Sequence, residues 1–344
     1  MAAIGKGARV IALVGPAGAG KTSLTEALLE ASGAIPRLGS VEAGTSIGDA
    51  DPEARARGAS TSLNLCRFSW LGDDYVLLDA PGSPGFAAEA DAALDVTDLA
   101  LVVVSPEPER AVLAEPILRE LEARGVPHAI FVNKIDKAPG TIEQLLESLE
   151  PLSSAALVAR QIPISKGEQV IGFVDLALDR AYHYRPGKAS EQQPIAEEMK
   201  DAETKARFHM MEQLADHDDD LLEQLLEDQE PDPSLVFRDI RRETAEGLIV
   251  PVFFGSAVNE FGVRRLLKAL RHDTPSPART AERIGIHVPA IEVFKVANET
   301  TVGRLALARV FGGKLSEGAD LAAADGTAQR AGALFALQGA AGRR

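Results

Sequence analysis

The chain has 344 residues, 45% of them hydrophobic, which is enough apolar material for two or three packed domains. Its formal net charge of −15 argues against bulk attraction to nucleic acid, so DNA is not expected as a partner and RNA would have to meet a local patch. Cys66 is the single cysteine, which excludes an internal disulfide and favours the cytoplasm. The apolar runs are too short to span a bilayer, so no membrane partner is expected.

A glycine-rich stretch near the N-terminus stands between a predicted strand at 9–14 and a predicted helix at 21–31. The stretch reads Gly15-Pro16-Ala17-Gly18-Ala19-Gly20-Lys21-Thr22, the G-x-x-x-x-G-K-T pattern of a phosphate-binding P-loop. Its backbone N–H groups can donate hydrogen bonds to phosphate oxygens. Lys21 can reach the β- and γ-phosphates, and the Thr22 hydroxyl can coordinate Mg²⁺. We extend the predicted nucleotide contact to Ser23. A plain glycine-rich turn is the alternative.

Residues 33–60 contain glycines and aspartates with little periodicity, which predicts a long functional loop. Because it follows the P-loop, we interpret it as a switch segment that becomes ordered around a γ-phosphate. Ser60 is its candidate Mg²⁺ ligand. An equally good interpretation makes Ser60 an ordinary polar residue before a strand predicted at 61–68.

Strand and helix patterns then alternate, which predicts a parallel sheet with helices on both faces. The strands are expected at 74–79, 99–104 and 128–132, and the helices at 86–94 and 108–124. Asp79-Ala80-Pro81-Gly82 ends the first of these strands. Its carboxylate could hold Mg²⁺ through water, and the Gly82 N–H could reach a γ-phosphate. A plain turn explains these four residues as well.

Two further motifs follow strands of the same predicted sheet. Asn133-Lys134-Ile135-Asp136 comes after residues 128–132 and Gly255-Ser256-Ala257 after a strand at 249–254. The Asp136 carboxylate can accept two hydrogen bonds from a guanine edge, which adenine cannot supply, and the Lys134 stem can lie along the base. Backbone groups of 255–257 could support the same base. A polar loop is the alternative for 133–136, but the set predicts GTP or GDP with Mg²⁺.

The alternation is interrupted from 157 to 248 by one strand pattern and three polar helical patterns, at 170–178, 194–214, 218–227 and 233–246. We interpret 157–248 as an α+β insertion into a P-loop domain formed by 1–156 and 249–272. Prolines predict a linker at 273–289. Strand patterns from 290 to 344 predict the beginning of a β-domain. These about 55 residues are fewer than the roughly eighty expected for a closed barrel.

With these motifs assembled, the chain resembles the translational GTPases, most closely elongation factor G, over essentially its whole length. Residues 57–60 are similar to the family's R-G-I-T switch and residues 79–82 to its D-T-P-G. Phe131–Asp136 is similar to F-V-N-K-M-D, and Pro251–Ala257 to P-V-x-x-G-S-A. The stretch Val302-Gly303-Arg304-Leu305 resembles the opening of the family's second domain.

The resemblance implies a P-loop GTPase (G) domain with a G′-type insertion and a partial β-barrel domain II. It also implies GTP hydrolysis and GTP/GDP-switched binding to ribosomal RNA and stalk proteins, supporting translocation or ribosome disassembly. Lys21, Ser60 and Ser83 become the candidate catalytic residues. Ser83 stands where the family usually has histidine and Gly18 where it usually has aspartate, which predicts weak hydrolysis. A nucleotide-gated ribosome-binding module with little hydrolysis and a non-translational regulatory GTPase remain alternatives.

Overall fold

The computed structural model describes residues 7–41, 43–48, 52–138, 141–167, 169–185, 188–227, 229–299, 303–338 and 341–343. Val302, which the sequence analysis placed in the second-domain motif, lies outside these residues. The described strands are β1 (Arg9–Val14), β2 (Asn64–Trp70), β3 (Asp73–Asp79), β4 (Leu99–Val104), β5 (His128–Val132), β6 (Ala156–Ala159), β7 (Gln161–Lys166), β8 (Gln169–Asp175), β9 (Arg180–Arg185), β10 (Lys188–Gln193), β11 (Ile249–Phe254), β12 (Ala290–Glu299), β13 (Gly303–Phe311), β14 (Asp320–Ala322), β15 (Ala328–Arg330), β16 (Ala336–Gln338) and β17 (Ala341–Arg343).

Helices alternate with the strands of the first part and dominate the middle of the chain. The described α-helices are α1 (Lys21–Ala31), α2 (Pro52–Arg57), α3 (Ala87–Leu94), α4 (Pro108–Ala111), α5 (Glu115–Ala123), α6 (Ile142–Leu149), α7 (Glu197–Ala215), α8 (Asp219–Leu226), α9 (Pro233–Glu246), α10 (Val263–Asp273) and α11 (Pro277–Arg283). Short 3-10 turns cover Pro84–Phe86, Val112–Ala114, Ile135–Lys137 and Glu150–Leu152. Among these residues, no helix is both long enough and apolar enough to cross a bilayer.

A seven-stranded sheet in the order β2-β3-β1-β4-β5-β11-β6 forms the centre of the molecule. All its neighbouring pairs are parallel except β2 with β3. Strands β4, β5 and β11 are buried along their whole length because helices cover both faces, which explains their unbroken apolar sequences. Leu118 of α5 lies in the core on one face, and Leu28 of α1 lies with Leu267 of α10 on the other. The predicted mixed α/β fold is confirmed.

Three predicted strands match the observed ones, whereas a predicted helix and a predicted loop differ from the structure. The strands expected at 99–104, 128–132 and 249–254 coincide with β4, β5 and β11. The helix expected at 108–124 is instead α4, a 3-10 turn and α5. Pro116, at the start of α5, lacks the N–H that a continuous helix would need there. The loop expected at 33–60 contains α2, which starts at a proline, the residue that suits a first helical turn.

The segment that we interpret as an insertion builds a second sheet, with strand order β10-β9-β8-β7 and antiparallel pairing. Sequence patterns indicated its strand β8, but not β7, β9 or β10. The segment's first residues lie in β6, which pairs in parallel with β11 in the central sheet. The boundary at 157 therefore falls inside a central strand, and the division into domains stays a prediction.

Helix α11 occupies the predicted linker and packs against the central domain. Thr280 of α11 donates a hydrogen bond to the buried Asp98 carboxylate, just before β4. Asp98 also accepts hydrogen bonds from Val10 N (2.8 Å) and from Arg309 of β13 (2.8 Å). Because Arg309 is almost completely buried, this ion pair holds the β12–β13 hairpin against the start of β4.

Helix α9 carries two buried acidic side chains, Asp239 and Glu243. The Glu243 side chain is inaccessible to solvent, and Arg242 donates to its Oε1 (2.9 Å). Its Oε2 has no hydrogen-bond partner within the described part of the chain. Burial, which outweighs the stabilising effect of Arg242, raises the pKa of Glu243 to about 7, and Asp239 adds to the shift.

We expect Glu243→Gln to stabilise the fold above pH 7. Because the folded-state pKa is raised, this group's contribution to stability is complete below about pH 4.5 and is lost as the pH rises to about 7. The gain should be roughly 2–3 kcal/mol at pH 8 and near zero at pH 4.5, measured by urea unfolding across this range. Glu246→Gln, at an exposed position of the same helix, is the control. A parallel pH dependence for wild type and Glu243→Gln would contradict the expectation.

Candidate functional site

The carboxyl ends of parallel strands meet at one edge of the central sheet. Strand β1 is parallel to both β3 and β4, and β5 is parallel to both β4 and β11. The P-loop motif follows β1, and the three other motifs follow β3, β5 and β11. All four predicted motifs therefore lie along the same edge, where ligands of such sheets bind.

Backbone shape makes the glycines of the loop 15–20 necessary. Gly15, Gly18 and Gly20 all have positive φ, and Gly20 is the N-cap of α1. A Cβ on Gly15 would collide with the Val103 carbonyl, and one on Gly20 with the Asn133 side chain. Ala19 N donates to Pro16 O (3.3 Å), closing the turn, while Ala17 and Gly18 are exposed at its tip. The loop leaves its tip and the α1 N-terminus available to an anion.

Lys21 and Gly82 lie side by side across this loop. The buried Lys21 ammonium donates to Gly15 O (2.8 Å) and Pro16 O (3.1 Å). A Cβ on Gly82 would collide with Lys21 Nζ and lie 2.8 Å from both Ala17 N and Gly15 O. Only glycine therefore fits at position 82, and the D-x-x-G segment touches the P-loop through its backbone. The same cradle could accept a phosphate that both segments contact.

Three oxygen-bearing side chains converge at the start of α1. Thr22 Oγ1 donates to Asp79 Oδ2 (2.8 Å) and lies 3.2 Å from Ser60 Oγ. Asp79 is fully buried at the end of β3, and Thr22 is nearly so, whereas Ser60 is half-buried before β2. Hydroxyl and carboxylate oxygens are the ligands that Mg²⁺ prefers, so these residues fit that ion. Ser23, beside them in the first turn of α1, is half-buried.

The chain after Asp79 turns away from the sheet. Ala80 N donates to Leu13 O (3.0 Å), and Ala80 and Pro81 are buried. Ser83 begins the 3-10 turn Pro84–Phe86, and its carbonyl accepts Phe86 N–H (2.9 Å), while its hydroxyl does not cap the turn. The Phe86 ring lies under the guanidinium of Arg57, whose Cζ is 5.8 Å from the ring centroid. This contact connects the residues before Ser60 to those after Ser83.

Asn133 connects three of the motifs through one buried side-chain amide. Its Nδ2 donates to Ala19 O in the P-loop (3.0 Å). Its Oδ1 accepts from Lys134 N and from Ala257 N, both at 2.9 Å. Lys134 has a left-handed backbone (φ 61°), and its Nζ donates to Gly18 O (2.6 Å), so its stem extends across the P-loop. The flat face of a nucleotide base could pack against that stem.

Asp136 lies in the 3-10 turn that follows Lys134. Its Oδ1 is buried and has no hydrogen-bond partner within the described ranges. Leaving a buried acceptor unpaired costs about 1–3 kcal/mol, so a ligand with N–H donors would remove this penalty. Ile135 N donates to Gly255 O (3.0 Å), and Ser256 forms an isolated bridge with Phe261. The arrangement fits the N–H edge of guanine.

Sequence reasoning missed Glu26, a buried carboxylate on α1. Its oxygens accept hydrogen bonds from Gly39 N (3.0 Å) and Ile47 N (2.5 Å), so it ties the loop after α1 to the helix that bears Lys21 and Thr22. The signal available was an acidic residue four positions after Thr22, on the helix predicted at 21–31.

Glu89 on α3 was also missed. Glu89 Oε2 accepts from Leu63 N (2.8 Å), at the end of the loop that contains Ser60, and pairs with Lys295 of β12. The carboxylate therefore links α3, the approach to β2 and the β12–β13 hairpin. No motif of the sequence indicated this role, because the three partners are far apart along the chain.

Comparisons with known proteins agree on one family. The profile described as "Elongation factor Tu GTP binding domain" matches residues 6–276. The chain is 37% identical over 335 residues to an "Elongation factor G-like protein" of Synechocystis sp. (96% of this chain, 49% of the relative). It is 30% identical over 316 residues to "Elongation factor G" of Mycoplasma pneumoniae (87% of this chain, 46% of the relative).

Structural comparison gives the same result. A crystal structure of a protein from Thermus thermophilus aligns with a TM-score of 0.87 and 33% identity. The alignment covers 97% of this chain and 50% of the other. The chain thus spans about half the length of the curated relatives it matches.

We expect Asp136→Asn to exchange guanine preference for xanthine preference. A carboxylate at this position can accept from the guanine N–H edge, whereas an amide would donate to the extra carbonyl of xanthine. Wild type should bind GDP more tightly than XDP, and the variant should reverse that order. The two dissociation constants should differ by about tenfold or more in each protein, because one or two buried hydrogen bonds are gained or lost. Competition binding against a fluorescent nucleotide measures both constants. Equal affinity of the wild type for GDP and ADP would contradict the assignment.

Proposed function

This chain belongs to the translational GTPases, among the elongation factor G-like proteins, and we propose that it binds the ribosome in the cytoplasm under the control of GTP and GDP. The observation that carries the proposal is the convergence of Thr22, Ser60 and Asp79 beside Lys21. Proteins of this family hydrolyse GTP. The chain spans about half the length of these relatives. That it supports translocation or ribosome disassembly is therefore part of the proposal.

In this proposal, the loop 15–20, Lys21 and Gly82 bind the β- and γ-phosphates. Thr22, Ser60 and Asp79 hold Mg²⁺, which, when bound, neutralises charge on the phosphate oxygens. Asn133, Lys134 and Asp136 orient guanine together with the backbone of 255–257. The unpaired Asp136 Oδ1 and the buried oxygen cluster at Thr22 support these roles.

Nucleotide state would reach the rest of the molecule through the two segments that contact the phosphates. Ser60 precedes Leu63, whose N–H binds Glu89, and Gly82 precedes the turn that leads into α3. Glu89 in turn pairs with Lys295 of the β12–β13 hairpin. We therefore propose that GTP favours one arrangement of α3 and this hairpin, which binds ribosomal RNA and stalk proteins, and that GDP releases it.

Hydrolysis needs a group that holds the attacking water in line with the γ-phosphate. Ser83, at the residue after the D-x-P-G turn, offers one short neutral hydroxyl, whereas a histidine would reach further and could carry a positive charge. We therefore propose that GTP turnover is slow. The same observation supports a second candidate function, a nucleotide-gated ribosome-binding module with little hydrolysis.

The first expected outcome is GTP-dependent ribosome binding. With a non-hydrolysable GTP analogue, the chain should co-sediment with ribosomes at least several-fold better than with GDP, because only the triphosphate joins both switch segments. Lys21→Ala should lose this difference, since it removes the positive charge that would bind the β- and γ-phosphates. Equal pelleting with both nucleotides would contradict the switch. Tight GTP binding without any pelleting would instead favour a non-translational regulatory GTPase.

The second expected outcome concerns the rate of GTP cleavage. Ser83→His should accelerate single-turnover hydrolysis on ribosomes by roughly 10² to 10³, the effect of one well-positioned polar group. GTP affinity should stay within a few-fold, because Lys21, Thr22 and Asp136 do not depend on position 83. Ser83→Ala is the matched control and should equal the wild type. Identical rates for wild type and Ser83→His would contradict the role given to position 83.

A further inference from the structure

The antiparallel sheet β10-β9-β8-β7 carries aromatic side chains that reach beyond the sheet. Tyr182 of β9 stacks on Phe173 of β8, with 5.2 Å between ring centroids. Tyr184, two residues further along β9, contacts Phe173 with a tilted ring (5.7 Å between centroids) and stacks on Phe261, with 4.4 Å between centroids and 1° between ring planes. Phe261 lies outside this sheet, in the loop between β11 and α10. The Tyr184–Phe261 pair therefore joins the second sheet to the loop that begins Gly255-Ser256-Ala257.

Phe261 closes that loop. Its N–H donates to Ser256 O and its carbonyl accepts Ser256 N–H, both at 2.9 Å. A Cβ on Gly255 would collide with the Phe261 carbonyl and lie 2.6 Å from the Phe131 ring. The loop is therefore packed so tightly that displacement of Phe261 would displace Gly255 and Ser256.

The loop is connected directly to the turn that bears Asp136. Gly255 O accepts the N–H of Ile135 (3.0 Å), the residue immediately before Asp136. Strand β8 of the second sheet also lies against the turn Ile135–Lys137. Two contacts of the Asp136 turn therefore lead to the second sheet: β8 directly, and Tyr184 through Phe261 and Gly255.

We propose that Tyr184 is a positioning residue for guanine recognition: by stacking on Phe261 it holds the Gly255 loop, and through it the Asp136 carboxylate, in the orientation that reads the base. The inference rests on the proposed binding of guanine nucleotides. Orientation matters here because a hydrogen bond weakens steeply when its geometry departs from linearity. Loss of the Tyr184 ring should therefore weaken contacts to the base edge and leave the phosphate contacts of Lys21 intact.

The experiment compares GDP with IDP, whose hypoxanthine base lacks the exocyclic amine that the Asp136 carboxylate would bind. Dissociation constants and GDP release rates are measured for the full chain as wild type, Tyr184→Leu, Tyr184→Phe and Tyr182→Leu. We expect wild type to prefer GDP and Tyr184→Leu to reduce the GDP/IDP preference about threefold to tenfold, the range for one aromatic pair. Tyr184→Phe retains the ring and Tyr182→Leu spares Phe261, so both should keep the wild-type preference.

The outcomes separate this inference from the function on which it rests. An unchanged GDP/IDP preference in Tyr184→Leu would overturn the inference while the proposed function stands. So would an equal weakening of both nucleotides, because that is the effect of general destabilisation. A wild type that binds neither nucleotide would overturn both. If Tyr184→Leu does not fold, Phe261→Leu removes the other ring of the pair and is judged by the same preference.

Discussion

The buried side-chain amide of Asn133 is the interaction on which the candidate site depends. It donates to Ala19 O in the P-loop and accepts from Ala257 N after β11, so one group fixes the distance between the phosphate side and the base side. An aspartate could accept but not donate here, and a leucine could do neither. Because Asn133 is almost completely buried, losing either partner would leave an unpaired polar group away from water.

From this centre, carboxylates connect the site to the surrounding elements. Glu26 ties the loop at Gly39 and Ile47 to the P-loop helix, and Glu89 ties α3 to β12. Asp98 fastens Arg309 of β13 to the start of β4, in a buried setting. The Asp98 contact is anchored to the sheet, whereas Glu89 lies on the short helix that follows the 79–82 motif. The hairpin is therefore held at one point to the rigid sheet and at another to an element next to the candidate phosphate contacts.

The sequence allowed six of the seven strands described in the central sheet, all but β6, and the four motifs to be predicted, because these have local signals. Unbroken apolar runs marked β4, β5 and β11, and fixed spacings marked the P-loop and Asn133–Asp136. The sequence of β10 is Lys-Ala-Ser-Glu-Gln-Gln, which has no apolar period and gives no strand signal. Glu26, Glu89 and Tyr184 could not be assigned roles, because each acts through partners brought together only by the fold. The motif residues of the site can thus be predicted from local sequence. The residues that hold them in place cannot, because their partners are distant along the chain.

The second sheet is attached to the central sheet close to the candidate nucleotide site. Strands β6 and β11 are adjacent and parallel, so the chain leaves the central sheet and re-enters it at neighbouring positions. Just after β6, the buried Arg160 binds Asp273 at the end of α10 (2.9 Å), and Arg265 of α10 binds Asp175 at the end of β8. Helix α10 packs on α1, which begins with Lys21 and Thr22. The second sheet therefore contacts the loops proposed to bind the base directly, and the helix proposed to bind phosphate through α10, so its packing bears on both halves of the candidate site.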